Sequence, residues 1–230
     1  MNKKEIVIEK KELTKILKLF SKKQKTDSSI LIKGIDDYIV LKIINDLFTF
    51  EYRFKHSNIF EFTYIFNLED FSDIVNFIKE KELTISENEI NNYPTFQIET
   101  DNQDLELLQL KLDFKLLNSN FSDLIKYCSE NKKKLKKSVF DESIYFILIN
   151  DKLYHISDFE KEEKSFAIFN IDFFEEKILI IDKDILKVLE FFSFLNEEKY
   201  VIVDNKYQEF YSENCLLKIN LPNINKKLFI

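Results

Sequence analysis

Apolar residues fall at i, i+3, i+4 and i+7 in four stretches, the spacing of one face of an amphipathic helix. They are Leu13, Ile16, Leu17 and Phe20; Phe71, Ile74, Val75 and Ile78; Phe121, Leu124, Ile125 and Cys128; and Ile185, Val188, Leu189 and Phe192. A short strand-like stretch precedes each, at 5–9, 62–66, 114–117 and 177–181. Ser119 or Asn120 supplies cap chemistry for the third helix and Asp182 for the fourth.

Strand patterns follow each helix. After the first come 29–35, 38–45 and 48–54, broken by Asp36-Asp37 and Asn45-Asp46, residues that favour turns. After the second come 83–86 and 95–100. After the third come 143–149 and 153–157, with Asn150-Asp151 between them, and then 165–171. After the fourth come 200–203, 207–211 and 215–221, punctuated by Asp204-Asn205 and Glu213-Asn214.

This order of elements occurs twice. A shift of 108 places the first helix on the third, and a shift of 114 places Ser29-Ile30 on Ser143-Ile144 and the second helix on the fourth. The chain therefore reads as an internal duplication with a period of about 115 residues. Each half is expected to be a doubled β-α-β-β-β unit. Successive strands joined by tight turns form antiparallel meanders. The expected class is α+β, with two domains and helices on one face of antiparallel sheets. Domain 1 is expected over 1–104 and domain 2 over 112–230. Residues 105–111, rich in leucine and without Gly or Pro, form the interdomain connector.

Composition narrows the chemistry. The 230 residues include 24 Phe and 10 Tyr, enough for a sizeable core, but only one Gly and two Pro. Glycine-rich phosphate loops and the dinucleotide fingerprint are thereby excluded. No apolar run approaches the roughly 18 residues that span a bilayer, and the first residues lack the apolar stretch of a signal peptide. An intracellular, cytoplasmic protein without membrane association is expected. Cys128 and Cys215 are expected to stay reduced and to serve as small apolar residues. His56 and His155 stand alone, too few for a zinc site, and no nucleophile motif is present. No catalytic residue, metal or cofactor is expected, and the chain is not read as an enzyme.

Net charge is −7, unevenly spread. Residues 10–25 carry seven lysines against Glu12, and residues 126–137 carry six against Glu130. Such segments can attract phosphate locally on a protein that repels it elsewhere.

The duplicated units resemble the DNA sliding clamps, a family that includes proliferating cell nuclear antigen, phage clamps and the three-domain bacterial polymerase clamp. The likeness is carried by KILII at 177–181 leading into a helix at 184–194, then strands at 199–203, 206–211 and 214–221 ending at Pro222. FILINDKLYHI at 146–156 is similar to the paired strands before them, and EIVIEKKELTKILKLFSK at 5–22 to the opening strand and helix. Two departures stand out. The chain has two domains, so a closed ring needs three copies, and Asn and Asp replace the family's usual turn glycines.

The resemblance implies a processivity factor, a homotrimeric ring that encircles duplex DNA without sequence specificity, with the helices lining the hole. Lys11, Lys15, Lys18 and Lys22 then form one stripe on the first helix, opposite its apolar face. Lys126 lies on the polar side of the third helix, Lys132, Lys133 and Lys136 extend it, and Lys183 and Lys187 add a patch on the fourth. Lysine suits such phosphate contact, and the single arginine, Arg53, argues against base reading. The resemblance also implies that a DNA polymerase and a clamp loader dock through short peptide motifs. Leu107, Leu108 and Leu110 of the connector and Leu228, Phe229 and Ile230 of the tail are the candidate partner-binding residues. Segments 68–81 and 182–198 are net acidic. That favours an alternative, a clamp-fold interaction protein that does not encircle DNA, such as a transcription co-activator or a clamp inhibitor.

Overall fold

A computed structural model describes residues 5–56, 61–98, 114–116, 118–131, 143–149, 152–157, 160–167, 177–204 and 207–221. The chain divides into two compact units, Met1–Leu108 and Gln109–Ile230.

In the first unit the order is β1 (Ile6–Glu9), α1 (Lys10–Leu17), α2 (Lys22–Thr26), β2 (Ser29–Ile35), β3 (Tyr38–Ile44), β4 (Phe48–Lys55), β5 (Phe62–Asn67), α3 (Leu68–Phe77), β6 (Glu82–Ile85), β7 (Glu89–Ile90) and β8 (Tyr93–Pro94). One antiparallel sheet runs β5-β2-β3-β4, and a second runs β1-β6-β7-β8. Ile30, Leu31 and Ile32 of β2 are all buried, which explains why this strand reads as a continuous apolar run rather than an alternation. The β2–β3 hairpin closes with Ile35 opposite Tyr38. Between them Asp36 takes φ 51°, a left-handed conformation that aspartate tolerates better than most residues.

The first helix is shorter than its apolar spacing predicts. It ends at Leu17, with the Lys18 N–H donating to the Thr14 carbonyl at 3.2 Å and the Leu19 N–H to the Ile16 carbonyl at 3.0 Å. Ser21 then starts α2: its Oγ accepts the Gln24 N–H at 3.3 Å, and Gln24 Oε1 accepts the Ser21 N–H at 2.8 Å. This reciprocal box satisfies two otherwise orphaned donors and favours a restart over a continuation. Phe20, in the break, stacks on Phe48 at 5.5 Å and meets Phe50 edge-on at 5.6 Å. The expected single stripe of Lys11, Lys15, Lys18 and Lys22 is thus corrected: Lys18 is the α1 C-cap and Lys22 opens a separate helix.

The expected strand at 95–100 is also corrected over 95–98, residues 99 and 100 lying outside the described residues. Asn91 and Asn92 take φ 46° and 67° and turn the chain so that Glu89–Ile90 pairs with Tyr93–Pro94. Pro94 has no N–H for a longer ladder, and residues 95–98 are not strand. The Ile98 N–H instead donates to the Ile65 carbonyl at 3.1 Å.

The second unit repeats the plan: β9 (Phe114–Leu116), α4 (Asn118–Asn131), β10 (Ser143–Ile149), β11 (Lys152–Ser157), β12 (Glu160–Ala167), β13 (Lys177–Asp182), α5 (Lys183–Ser193), β14 (Lys199–Val203), β15 (Tyr207–Tyr211) and β16 (Cys215–Asn220). Its sheets run β12-β11-β10-β13 and β16-β15-β14-β9. Each strand pairs as its counterpart does in the first unit, so the duplication extends to topology. Two boundaries differ from expectation. The helix α4 already begins at Asn118, so Ser119 and Asn120 lie inside its first turn. The strand β12 begins at Glu160, paired with Ser157, rather than at 165.

In the second unit Phe121 packs edge-on against Phe210. Cys128 and Cys215 are both buried and form no disulfide, and burial pushes the Cys128 thiol far above its ordinary value. The buried side chain of Gln208 on β15 acts as a peptide group. Its Oε1 accepts the Ile180 N–H at 3.0 Å and its Nε2 donates to the Ile180 carbonyl. Among the described residues β13 ends its sheet, so this amide pair occupies backbone groups that no described strand fills and joins the two sheets of the unit.

Glu197 holds the segment after α5 to the β15–β16 turn. It accepts the Asn214 N–H at 3.2 Å and Nδ2 at 2.8 Å. Burial alone would raise its pKa, but the Ser212 hydroxyl beside it, these Asn214 hydrogen bonds and the Lys199 charge outweigh burial and hold it below the ordinary carboxylate value. A carboxylate lowered in the folded state contributes stability above its unfolded pKa and loses it as pH falls through the folded one. Glu197→Gln is therefore expected to be less stable than wild type at pH 7, with the gap closing below about pH 4.5. Urea midpoints from pH 7 to pH 3 check this; a gap that stays constant contradicts it.

Candidate nucleic-acid interface

A groove of about 670 Å³ lies in the first unit, where the start of α1 meets the segment between α3 and β6. Six lysines line it (Lys10, Lys11, Lys15, Lys18, Lys79 and Lys81) against Glu9, Glu80 and Glu82. The apolar face of α1, Leu13, Ile16 and Leu17, is buried, which turns Lys11, Lys15 and Lys18 outward. Lys10 builds the groove. Its N–H donates to the Lys81 carbonyl at 2.8 Å, and its Nζ donates to the Ile78 carbonyl. These two bonds fix the end of α3 beside the start of α1. The Thr14 hydroxyl is buried in the same region without a partner.

The charges differ in availability. Lys15 Nζ contacts Glu12 Oε1 at 2.7 Å, an exposed pair worth little and easily exchanged for another anion. Lys11, Lys18, Lys79 and Lys81 are exposed.

The net charge of segment 68–81 conceals a separation along α3. Glu69 and Asp70 occupy its first turn, where the helix dipole favours anions. Glu69 then faces α2: it lies 3.9 Å from Lys22 Nζ and accepts the Thr26 hydroxyl at 2.9 Å. Lys25 of α2 donates to Ser72 at 2.7 Å, and burial lowers its pKa despite Asp73 and Glu69 nearby. The acidic start of α3 is thus taken up by α2, while Lys79 and Lys81, just past its end, enter the groove.

The sequence-derived lysines divide accordingly. The structure brings Lys11, Lys15 and Lys18 together and adds Lys10, Lys79 and Lys81. Lys22 does not line the groove. In the second unit Lys126 on α4 and Lys187 on α5 are exposed, and Ser129 of α4 donates to Glu190 of α5 at 2.6 Å. Lys183 is the first residue of α5. Lys132, Lys133 and Lys136 lie outside the described residues, as do Leu107, Leu108, Leu110, Leu228, Phe229 and Ile230. The lysines that the sequence reading missed follow the helix in the run Lys79-Glu80-Lys81, a signal visible only once the helix end is known.

An array of mobile point charges without a guanidinium fork suits phosphate contact that is indifferent to sequence. Among the described residues no cluster of His, Cys, Asp or Glu is placed to hold a metal, and no helix is long and apolar enough to cross a membrane. His56 Nε2 lies 2.9 Å from the Val7 carbonyl oxygen.

The fold is that of the DNA sliding clamps. It is similar to the Helicobacter pylori beta clamp solved with a DNA ligase peptide (TM-score 0.69, 15% identity, 96% of this chain and 67% of that one). It is likewise similar to the DNA polymerase III beta subunit of Pseudomonas aeruginosa (TM-score 0.66, 10% identity, 98% of this chain and 68% of that one). This chain spans about two thirds of the length of those proteins. No family model matches the sequence, and no curated relative matches it.

Proposed function

We propose that this chain is a non-enzymatic polymerase processivity factor acting inside the cell, three copies of which close into a ring around duplex DNA. The observation that carries the reading is the lysine groove formed by α1 and the end of α3 within a clamp fold. A ring stays on DNA by topology, so its wall needs only weak phosphate contacts that do not read sequence and permit sliding. Polymerase and clamp loader would dock through short peptide motifs at the connector and tail, around Leu107, Leu108, Leu110, Leu228, Phe229 and Ile230. The peptide-bound Helicobacter pylori clamp supports this mode of docking.

Edges support assembly. The strands β8 and β12 each end a sheet, and Phe96, two residues beyond β8, is 85% exposed. Unpaired edges invite pairing with another chain, and a head-to-tail contact that rotates about 120° per copy closes with three. Light scattering is expected to give a mass near three times 27.8 kDa. Phe96→Asp is expected to shift that mass to the single chain at micromolar concentration without loss of fold. A wild-type chain that stays monomeric at every concentration, with or without DNA and a loader, would favour the interaction protein that does not encircle DNA.

A further inference from the structure

Beside the lysine groove the molecule exposes aromatic surface that its own core does not use. Phe77, the last residue of α3, is 67% exposed, and Tyr93 of β8 is 40% exposed. Their rings meet edge-to-face at 5.3 Å, so each supports the other while leaving ring surface open. Phe77 precedes Lys79 by two residues, which places it within about 7 Å of that lysine along the backbone. Lys79 and Lys81 are exposed in the adjoining groove.

The second unit offers an internal comparison. Phe194, just past α5, is 84% exposed. It is followed by Asn196, Glu197 and Glu198, where Phe77 is followed by Lys79, Glu80 and Lys81. Each unit exposes a phenylalanine, Phe77 as the last residue of its second helix and Phe194 just past its own, and among the described residues only Phe77 stands beside a net positive groove.

We propose that Phe77 and Tyr93 form a stacking platform for unpaired nucleotides, with the phosphates of the same strand held by Lys79, Lys81 and Lys18. This inference rests on the reading of the groove as a DNA contact and extends it from duplex to single strand. Duplex DNA offers phosphates but keeps its base faces stacked on one another. A single strand offers both, and aromatic faces beside a cationic track are what it binds without sequence preference. The charge of the groove selects a polyanion over an apolar or acidic peptide.

The test uses the full chain with a labelled oligothymidine and a duplex of equal length, at fixed salt. Phe77→Ala and Tyr93→Ala are each expected to weaken oligothymidine binding about tenfold, the loss of one stacked base, and to leave duplex binding unchanged. Phe194→Ala is expected to alter neither. Bromodeoxyuridine-substituted single strands are expected to photo-crosslink to Phe77 or Tyr93. If wild type binds duplex while Phe77→Ala binds single strands as tightly as wild type, the platform is wrong, the groove reading survives, and the aromatic pair is assigned to a protein contact. If wild type binds neither probe, the groove reading fails and the platform with it. All three residues are exposed, so thermal unfolding is expected to match wild type and any loss reports contact.

Discussion

Replacing Lys15, Lys18 and Lys79 together by glutamate is expected to reduce affinity for duplex DNA about 500-fold at 0.1 M salt. Each lysine–phosphate contact carries about 0.9 of the slope of log affinity against log salt, so removing three lowers that slope by about 2.7. At 0.1 M salt the same 2.7 appears as decades of affinity. All three side chains are exposed, and surface changes of this kind usually alter stability by less than about 0.5 kcal/mol each. Binding titrations from 0.05 to 0.3 M salt supply the slope. A slope that does not move means these lysines do not meet phosphate. Lys22→Glu is the matched control. Lys22 does not line the groove and lies near Glu69, so its reversal is expected to leave the slope nearly unchanged.

The largest expected effect on folding belongs to Gln208→Leu. Leucine is similar in size but returns nothing to the Ile180 N–H and carbonyl, both of which the glutamine amide satisfies. Each buried backbone group left without a partner costs about 1–3 kcal/mol, so the change should cost about 2–6 kcal/mol. That is a large share of the 5–15 kcal/mol that typically separates folded from unfolded domains. Hydrogen exchange localises the effect. The segment containing Ile180 is expected to be well protected in wild type and to exchange much faster in the variant, while β2 and β3 in the first unit keep their protection. Slow exchange at Ile180 in the variant would show that the glutamine bridge is dispensable.

The elements that the sequence reveals best are those whose signal is local and repeated. The bounds of β2 and β10 follow directly from apolar runs beside Asp and Asn turns, those of β15 from the Asp204-Asn205 and Glu213-Asn214 turns on either side, and the recurrence of one element order predicts the paired topology of the two units. The misreadings arise where a local polar residue overrides periodicity. Ser21 and Gln24 restart a helix that the spacing of Leu13, Ile16, Leu17 and Phe20 extends unbroken. Asn91 and Asn92 fold back a chain whose composition at 95–100 suits a strand.

The groove was half legible. Lys11, Lys15 and Lys18 can be placed on a polar face by helical period alone. Lys79 and Lys81 could not be joined to them, because the juxtaposition depends on the bonds from Lys10 to Ile78 and Lys81, across about 70 residues of sequence. Summing charge over 68–81 also averaged an acidic beginning with a basic end. Burial of Ile74's neighbours Phe71, Val75 and Ile78 orients α3, but nothing in one dimension says that Glu69 is turned toward α2 and Lys79 toward α1.

Cys128 and Cys215 are the only sulfhydryls in the sequence, and both lie under the surface. A maleimide dye reacts with exposed thiolate, and the Cys128 thiol is both covered and held protonated by its surroundings. A single new cysteine at an exposed position such as Asp123 or Asn76 therefore becomes the favoured target for one fluorophore. The native background needs no prior removal of cysteine, and the core that those residues help to fill stays intact. Optical tracking of individual molecules becomes a matter of one substitution per dye position.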